Sequence, residues 1–252
     1  MQRPAAASRR RPWWRRLLRL AAWSVAGFVA LSVLLVATLR IVPPPTTAFV
    51  TARAIDAWRA GTPGFRIDRQ WVPLTQIAPE LALAVVAAED QKFPTHGGFD
   101  LDAIGSALAD RDTGRRMRGA STISQQVAKN LFLWSGRSWL RKGLEAWFTV
   151  LIELLWPKSR ILEVYLNVAE FGDGIYGAEA AARRHFGRAA ADLRRAEAAR
   201  LAAVLPNPRI YVASRPSRYV LTRQRWIERQ MGQLGPAWLA GVLPPPAGRR
   251  AQ

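Results

Sequence analysis

Adjacent carboxylates Glu89 and Asp90 close an apolar run in a chain where acids are scarce. The 252 residues hold 37 Lys plus Arg against 18 Asp plus Glu, a net charge of +19. A carboxylate in such a setting is either a solvated helix end or a group that does proton chemistry on a substrate held by the cations. Two later stretches supply those cations. In residues 118–130, Thr122, Gln126 and Lys129 are spaced by four and then three, and Gln125 also pairs with Lys129 at i,i+4. On a helix they share one face, a wall of hydroxyl, amide and ammonium suited to an anionic, hydroxyl-rich ligand. In residues 137–147, Glu145 follows Arg141 by four and Lys142 by three. That pattern is either ordinary surface ion pairing or a carboxylate among cations, with Arg137 and Lys142 free for phosphate oxygens.

Elsewhere the chemistry thins out. With two His and no Cys, a thiolate or His-rich metal site is not expected. Carboxylates together with substrate phosphates remain a donor set for Mg²⁺ or Mn²⁺. Glu163, Asn167 and Glu170 look like scaffold, and His185 beside Phe186 looks structural. Neither Asp90 nor His96 receives a role from spacing.

The elements that must position these residues begin with an anchor. Residues 20–39 carry no charge, and 20 residues at 1.5 Å rise cover about 30 Å, the hydrocarbon thickness. Seven Arg and no acid precede this span, so the N-terminus is expected in the cytoplasm and the remainder outside. A cleaved leader would have a shorter apolar run and a small-x-small site. Leu39-Arg40-Ile41-Val42 and then three prolines follow instead. Residues 1–40 hold eight Arg and no acid, so +11 of the +19 belongs to the exported part. Outside a membrane the anionic partner is a lipid head group or lipid-linked phosphate, and nucleic acid drops out.

The expected division is a basic cytoplasmic segment at 1–19, the transmembrane helix at 20–39 and a stiff Pro-rich linker at 40–48. One mostly helical domain follows at 49–243, with a loose tail at 244–252. Helices are expected over 49–60, from Pro79 to about Glu89, then over 100–109, 121–133, 140–155, 161–169, 178–186 and 193–205. Residues 65–72 are extended, and 110–118 form a basic loop. Residues 147–156 are apolar nearly all round and too short to span a bilayer. They are a central core helix or a surface that touches the membrane, for which Trp suits the interface.

Four stretches in this order resemble the successive motifs of the peptidoglycan glycosyltransferase family: EDQKFPTHGGFD, GASTISQQVAKN, RKGLEAWFTVLIE and KSRILEVYLNVAEFG. The likeness covers about residues 73–208 and is nearest to the single-domain members, which carry an anchor and no penicillin-binding domain. It implies a lysozyme-like helical fold and polymerisation of lipid II, with release of undecaprenyl pyrophosphate and inversion at the anomeric carbon. By position, Glu89 matches the general base and Glu145 the second carboxylate, near the donor pyrophosphate. Lys129, Arg137 and Lys142 match the phosphate-binding cations, Gln126 a polar contact there, and Phe93 a residue shaping the acceptor site. Implied partners are lipid II, the growing glycan strand, the membrane and other cell-wall synthesis and division proteins. A divalent cation is compatible, and no organic cofactor is implied. The domain is expected on the outer face of the cytoplasmic membrane. Two departures stand out: Gly98, where members often carry a larger residue, and Ser124 in place of Thr. Rival readings are a glycan-cleaving enzyme on a related lysozyme-like fold and an inactive tethered scaffold.

Overall fold

A computed structural model of the chain describes residues 13–112, 121–136 and 138–244. The expected Arg137, most of the basic loop and residues 245–252 of the tail lie outside the described residues. The first helix, α1 (Trp13–Leu39), is 27 residues long, about 40 Å. Its apolar surface is exposed except at Ser32, Val36 and Leu39. Helix α2 (Ala48–Arg59) follows, its first turn closed by Thr47 Oγ1 accepting from Val50 N.

The centre of the domain is α3 (Pro79–Glu89). It is buried all round from Leu81 to Ala87, not along a single face. Four of those seven residues are Leu or Val and three are Ala, and the small ones admit close neighbours. Those neighbours are α9 (Arg195–Val204) and α10 (Arg218–Leu234). A second group joins α5 (Ile123–Phe132), α6 (Trp139–Leu155) and α7 (Lys158–Val168). Helix α8 (Ala178–Phe186) packs on α7, and α4 (Leu101–Asp112) follows the loop after α3.

Three features differ from the sequence expectation. Helix α10 was not anticipated, because its Arg-rich composition hides a buried stripe of Val220, Gln224, Ile227 and Met231. A small sheet, in the order β1-β3-β2, is built from β1 (Asp68–Arg69), β2 (Glu170–Gly172) and β3 (Ile175–Tyr176). The extended stretch expected over 65–72 thus supplies only two strand residues. Helix α4 continues to Asp112, past the expected loop start at 110.

The apolar segment 147–156 resolves into two faces of α6. Phe148, Leu151 and Ile152 enter the core, while Val150 and Leu154 are exposed. Its two tryptophans grip the anchor: Trp147 Nε1 donates to Ser32 Oγ at 3.1 Å and Trp156 Nε1 to Val36 O at 2.7 Å. The linker is clasped as well. Arg160 donates to the carbonyls of Leu39 and Val42, and Arg69 to those of Pro44 and Pro45. Anchor and domain therefore share one core, which contains Val36 and Leu39.

In the loop after Glu89, Gly98 is closely confined. Its φ is +92°, and a Cβ there would sit 2.8 Å from Glu153 Cγ and 2.9 Å from Thr149 Cγ2. A larger residue does not fit this backbone. Gly97 faces open space and is the position that tolerates a side chain.

Candidate active site

Glu89 is the last residue of α3, so its side chain leaves the core where the helix stops. Gln126 Nε2 donates to its Oε2 at 3.0 Å, and Arg223 Nη2 stands 3.6 Å from Oε1. Burial pushes the carboxyl above its ordinary range. The Gln126 hydrogen bond, Arg223 and Lys129 draw it back, and Asp90 adds a small upward push. A carboxylate held this way is a base that still carries appreciable proton affinity.

Gln126 is itself held from below. The buried Tyr165 hydroxyl donates to Gln126 Oε1 at 3.2 Å, which turns the amide nitrogen toward Glu89. Burial, with Glu89 and Asp90 nearby, pushes the Tyr165 phenol well above its usual range, so it remains a donor. Nothing in the local pattern of α7 singles out Tyr165. Its link to Gln126 spans 39 residues and only the packing of α5 on α7 creates it.

Thr122 sits elsewhere than on the expected ligand wall. It is the N-cap of α5 and is buried, its hydroxyl donating to Gly98 O at 2.7 Å and accepting from Gln125 N. Gln125 completes the capping box by accepting from Thr122 N. Unpaired N–H groups at the helix start claim both side chains, so Gln126 and Lys129 alone of the expected face reach the open cleft.

Asp90 joins these elements. It accepts from Ile123 N at 2.9 Å and from His96 Nε2, while His96 Nδ1 accepts from Gly98 N. That network fixes the imidazole tautomer and ties the end of α3 to the start of α5. Phe93 is fully buried beneath this loop, edge-on to His96 and 4.6 Å from the Lys158 ammonium. It shapes the loop from inside and does not line the cleft.

Lys129 lies between two carboxylate sites. Burial lowers its proton affinity, with Glu145 and Glu89 opposing and Arg141 and Lys142 adding to the effect. Among the described residues no carboxylate comes within ion-pair distance of it, and its nearest ring is Phe49 at 5.5 Å. Glu145 is buried and doubly paired: Arg141 Nη1 binds one oxygen at 2.8 Å and Lys142 Nζ the other. Lys142 is thus paired rather than free, though half of its side chain remains exposed. Glu163 and Asn167 are scaffold as expected, holding the backbone of Leu74 and Val72.

Glu89, Gln126 and Lys129 open into a cleft of about 800 Å³ whose far wall is α10, through Tyr219, Arg223 and Trp226. A second cavity of about 270 Å³ shares Gln126 and Lys129 and continues toward Phe49 and Tyr176. Arg223 is the polar residue that sequence reasoning missed. Its Nε is buried without a partner among the described residues, and its guanidinium points at the base. The signal available was the buried i, i+4, i+7 stripe of α10, which puts Arg223 on the neighbouring face. Among the described residues no three His, Asp or Glu side chains converge as a metal cage.

A largely covered carboxylate and a lysine with no ion-pair partner among the described residues line one cleft of a helical domain, groups able to take a proton from a hydroxyl and to hold an anionic leaving group. The transglycosylase family model matches residues 59–232, and the chain belongs to that family. It is 58% identical to the biosynthetic peptidoglycan transglycosylase of Pseudomonas fluorescens Pf-5 over 224 residues, 89% of this chain and 91% of the relative. The protein of the same name from Xanthomonas campestris pv. campestris B100 is 59% identical over 224 residues, 88% and 91% of the two chains. That of Stutzerimonas stutzeri A1501 is 59% identical over 220 residues, 87% and 89%.

Proposed function

We propose that this enzyme polymerises lipid II into peptidoglycan glycan strands at the outer face of the cytoplasmic membrane. Glu89 takes the proton from the 4-hydroxyl of the incoming lipid II. The freed oxygen attacks the anomeric carbon of the growing chain, and the bond to undecaprenyl pyrophosphate breaks with inversion. The leaving group departs with the electron pair, and its charge is met by Lys129 and Lys142, with Arg137 as the further cation that the motif implies. Preplaced cations stabilise that charge most in a dry cleft. Glu145 acts by positioning: with both oxygens committed, it holds Arg141 and Lys142 beside the phosphate path.

The single observation that carries this reading is the largely covered Glu89, raised in proton affinity, opening onto the same cleft as Lys129, which has no ion-pair partner among the described residues. A hydrolase needs the carboxylate but not the ammonium cluster. Mg²⁺ or Mn²⁺ is assigned to the pyrophosphate oxygens, because no protein cage is present among the described residues. Exposed Trp134, Trp139 and Leu140 at the start of α6, beside the anchor-bound face, are assigned to the bilayer interface. Trp147 instead spends its indole N–H on the anchor.

Purified full-length protein supplied with labelled lipid II and Mg²⁺ is expected to yield long glycan strands, and Glu89→Gln none. Shortening of pre-formed strands without polymerisation would establish a cleaving enzyme instead. Absence of any product from the unmodified chain would leave a tethered scaffold.

A further inference from the structure

The wall of the cleft opposite Lys129 carries two large exposed rings. Tyr219 is 48% exposed and Trp226 37% exposed, and both line the cleft. They are seven residues apart on α10, hence on one face and about 10 Å apart along the axis. That is close to the length of two linked pyranose rings. Arg223 sits between them on the same face, its guanidinium 5.9 Å from the Trp226 ring. Tyr219 is braced from behind by Tyr211, stacked at 4.8 Å with an interplanar angle of 24°. All three residues line the cavity that holds Glu89.

We propose that this face of α10 is a stacking platform for the sugar backbone of a glycan, which it guides to or from Glu89. A pyranose presents an apolar C–H face and a rim of hydroxyls. Rigid amphipathic rings cover the former at little entropic cost, and a guanidinium with spare donors meets the latter. The Arg223 side chain is a quarter exposed, which leaves part of its guanidinium open to the cleft. A role in the bilayer interface suits Tyr and Trp equally well by composition. Placement decides against it: α10 packs on α3 and α9, whereas the anchor packs on α6. The inference rests on the polymerase reading only for which sugars occupy the platform.

The test uses the full-length protein in detergent and a lipid-free, peptide-free tetrasaccharide of alternating N-acetylglucosamine and N-acetylmuramic acid. Binding is followed by calorimetry for the unmodified chain, Tyr219→Ala, Trp226→Ala and the aromatic exchanges Tyr219→Phe and Trp226→Phe. Each Ala variant is expected to bind about tenfold more weakly, the size of one lost ring contact. The Phe variants should stay within about twofold, which separates stacking from damage to the fold. Equal affinity across the series overturns the platform. So does loss of binding to anionic vesicles with tetrasaccharide binding intact, which would make these rings a membrane contact. Glu89→Gln is expected to keep the tetrasaccharide affinity while losing polymerisation. If the unmodified chain fails to polymerise lipid II yet binds tetrasaccharide in a ring-dependent way, the platform stands and the polymerase reading falls.

Discussion

Replacing Gly98 with Ala tests how the loop after Glu89 positions the site. The new Cβ meets two obstacles. The backbone has φ +92°, a region that costs a side chain about 1–3 kcal/mol. The methyl also lands 2.8 Å from Glu153 Cγ and 2.9 Å from Thr149 Cγ2. Neither neighbour yields easily. Glu153 is held by Lys158 at 2.8 Å and by the Ser124 hydroxyl, and Thr149 is fully buried with its hydroxyl on Glu145 O. Overpacking of this kind adds about 1–3 kcal/mol, for a total of roughly 2–6 kcal/mol. For a domain of this size that is a fall in melting temperature of about 5–20 °C. The damage should extend to activity below that temperature, because Gly98 O receives the Thr122 hydroxyl and Gly98 N binds His96. A displaced loop shifts the cap of α5, and with it Gln126 and Lys129. Gly97→Ala is the control. It faces open space without a positive φ, so it should be neutral or stabilise by up to about 1 kcal/mol. Melting curves in detergent alongside initial rates on lipid II decide the matter. Equal stability of the two variants would refute the reasoning.

Four further outcomes are expected. The acid limb of kcat/KM against pH reports Glu89, whose affinity for its proton is raised, so activity falls as pH drops through that elevated value. Arg223→Ala removes a charge that opposes the rise and should move the limb to still higher pH; a downward move would exclude Glu89 as its source. Because the fold binds that proton more tightly than the unfolded chain, stability is lost as pH rises from the unfolded to the folded pKa. Glu89→Gln should therefore melt no lower than the unmodified chain at neutral pH while being inactive, and a large drop in melting temperature would assign Glu89 a structural role. Tyr165→Phe deletes one buried hydrogen bond, costing about 1 kcal/mol of stability. It should lower kcat several-fold with little change in KM, since the Gln126 amide loses its fixed orientation; unchanged kcat would dissociate Tyr165 from the site. Mg²⁺ without substrate should leave the melting temperature unchanged, whereas a saturable rise would reveal a cation site made by the protein.

Local pattern made much of this protein legible. The uncharged run before Arg40, the Pro79 start of α3 and the 178–186 helix need only hydropathy and capping rules, which act over a few residues. The pairing of Glu145 with Arg141 and Lys142 is likewise one turn of helix, and spacing alone exposes it. The ordered motifs carried the family, which the comparisons show.

Packing decided the rest, since it joins residues that spacing cannot relate. Thr122 looked like a ligand-facing hydroxyl, but the N–H groups at the start of α5 and the carbonyl of Gly98 claimed it. Phe93 looked like part of a binding surface, but the loop folded over it. Tyr165 reaches Gln126 across 39 residues, and Arg223 lies 134 positions beyond Glu89, on a helix too polar to announce itself. By itself the sequence determined the apolar N-terminal helix, most of the other helices and the placing of Glu89 at a helix end, because those depend on neighbours along the chain. Only the tertiary structure decided what surrounds that carboxylate, because burial and charge at Glu89 are summed over α3, α5 and α10, which meet only when the core closes.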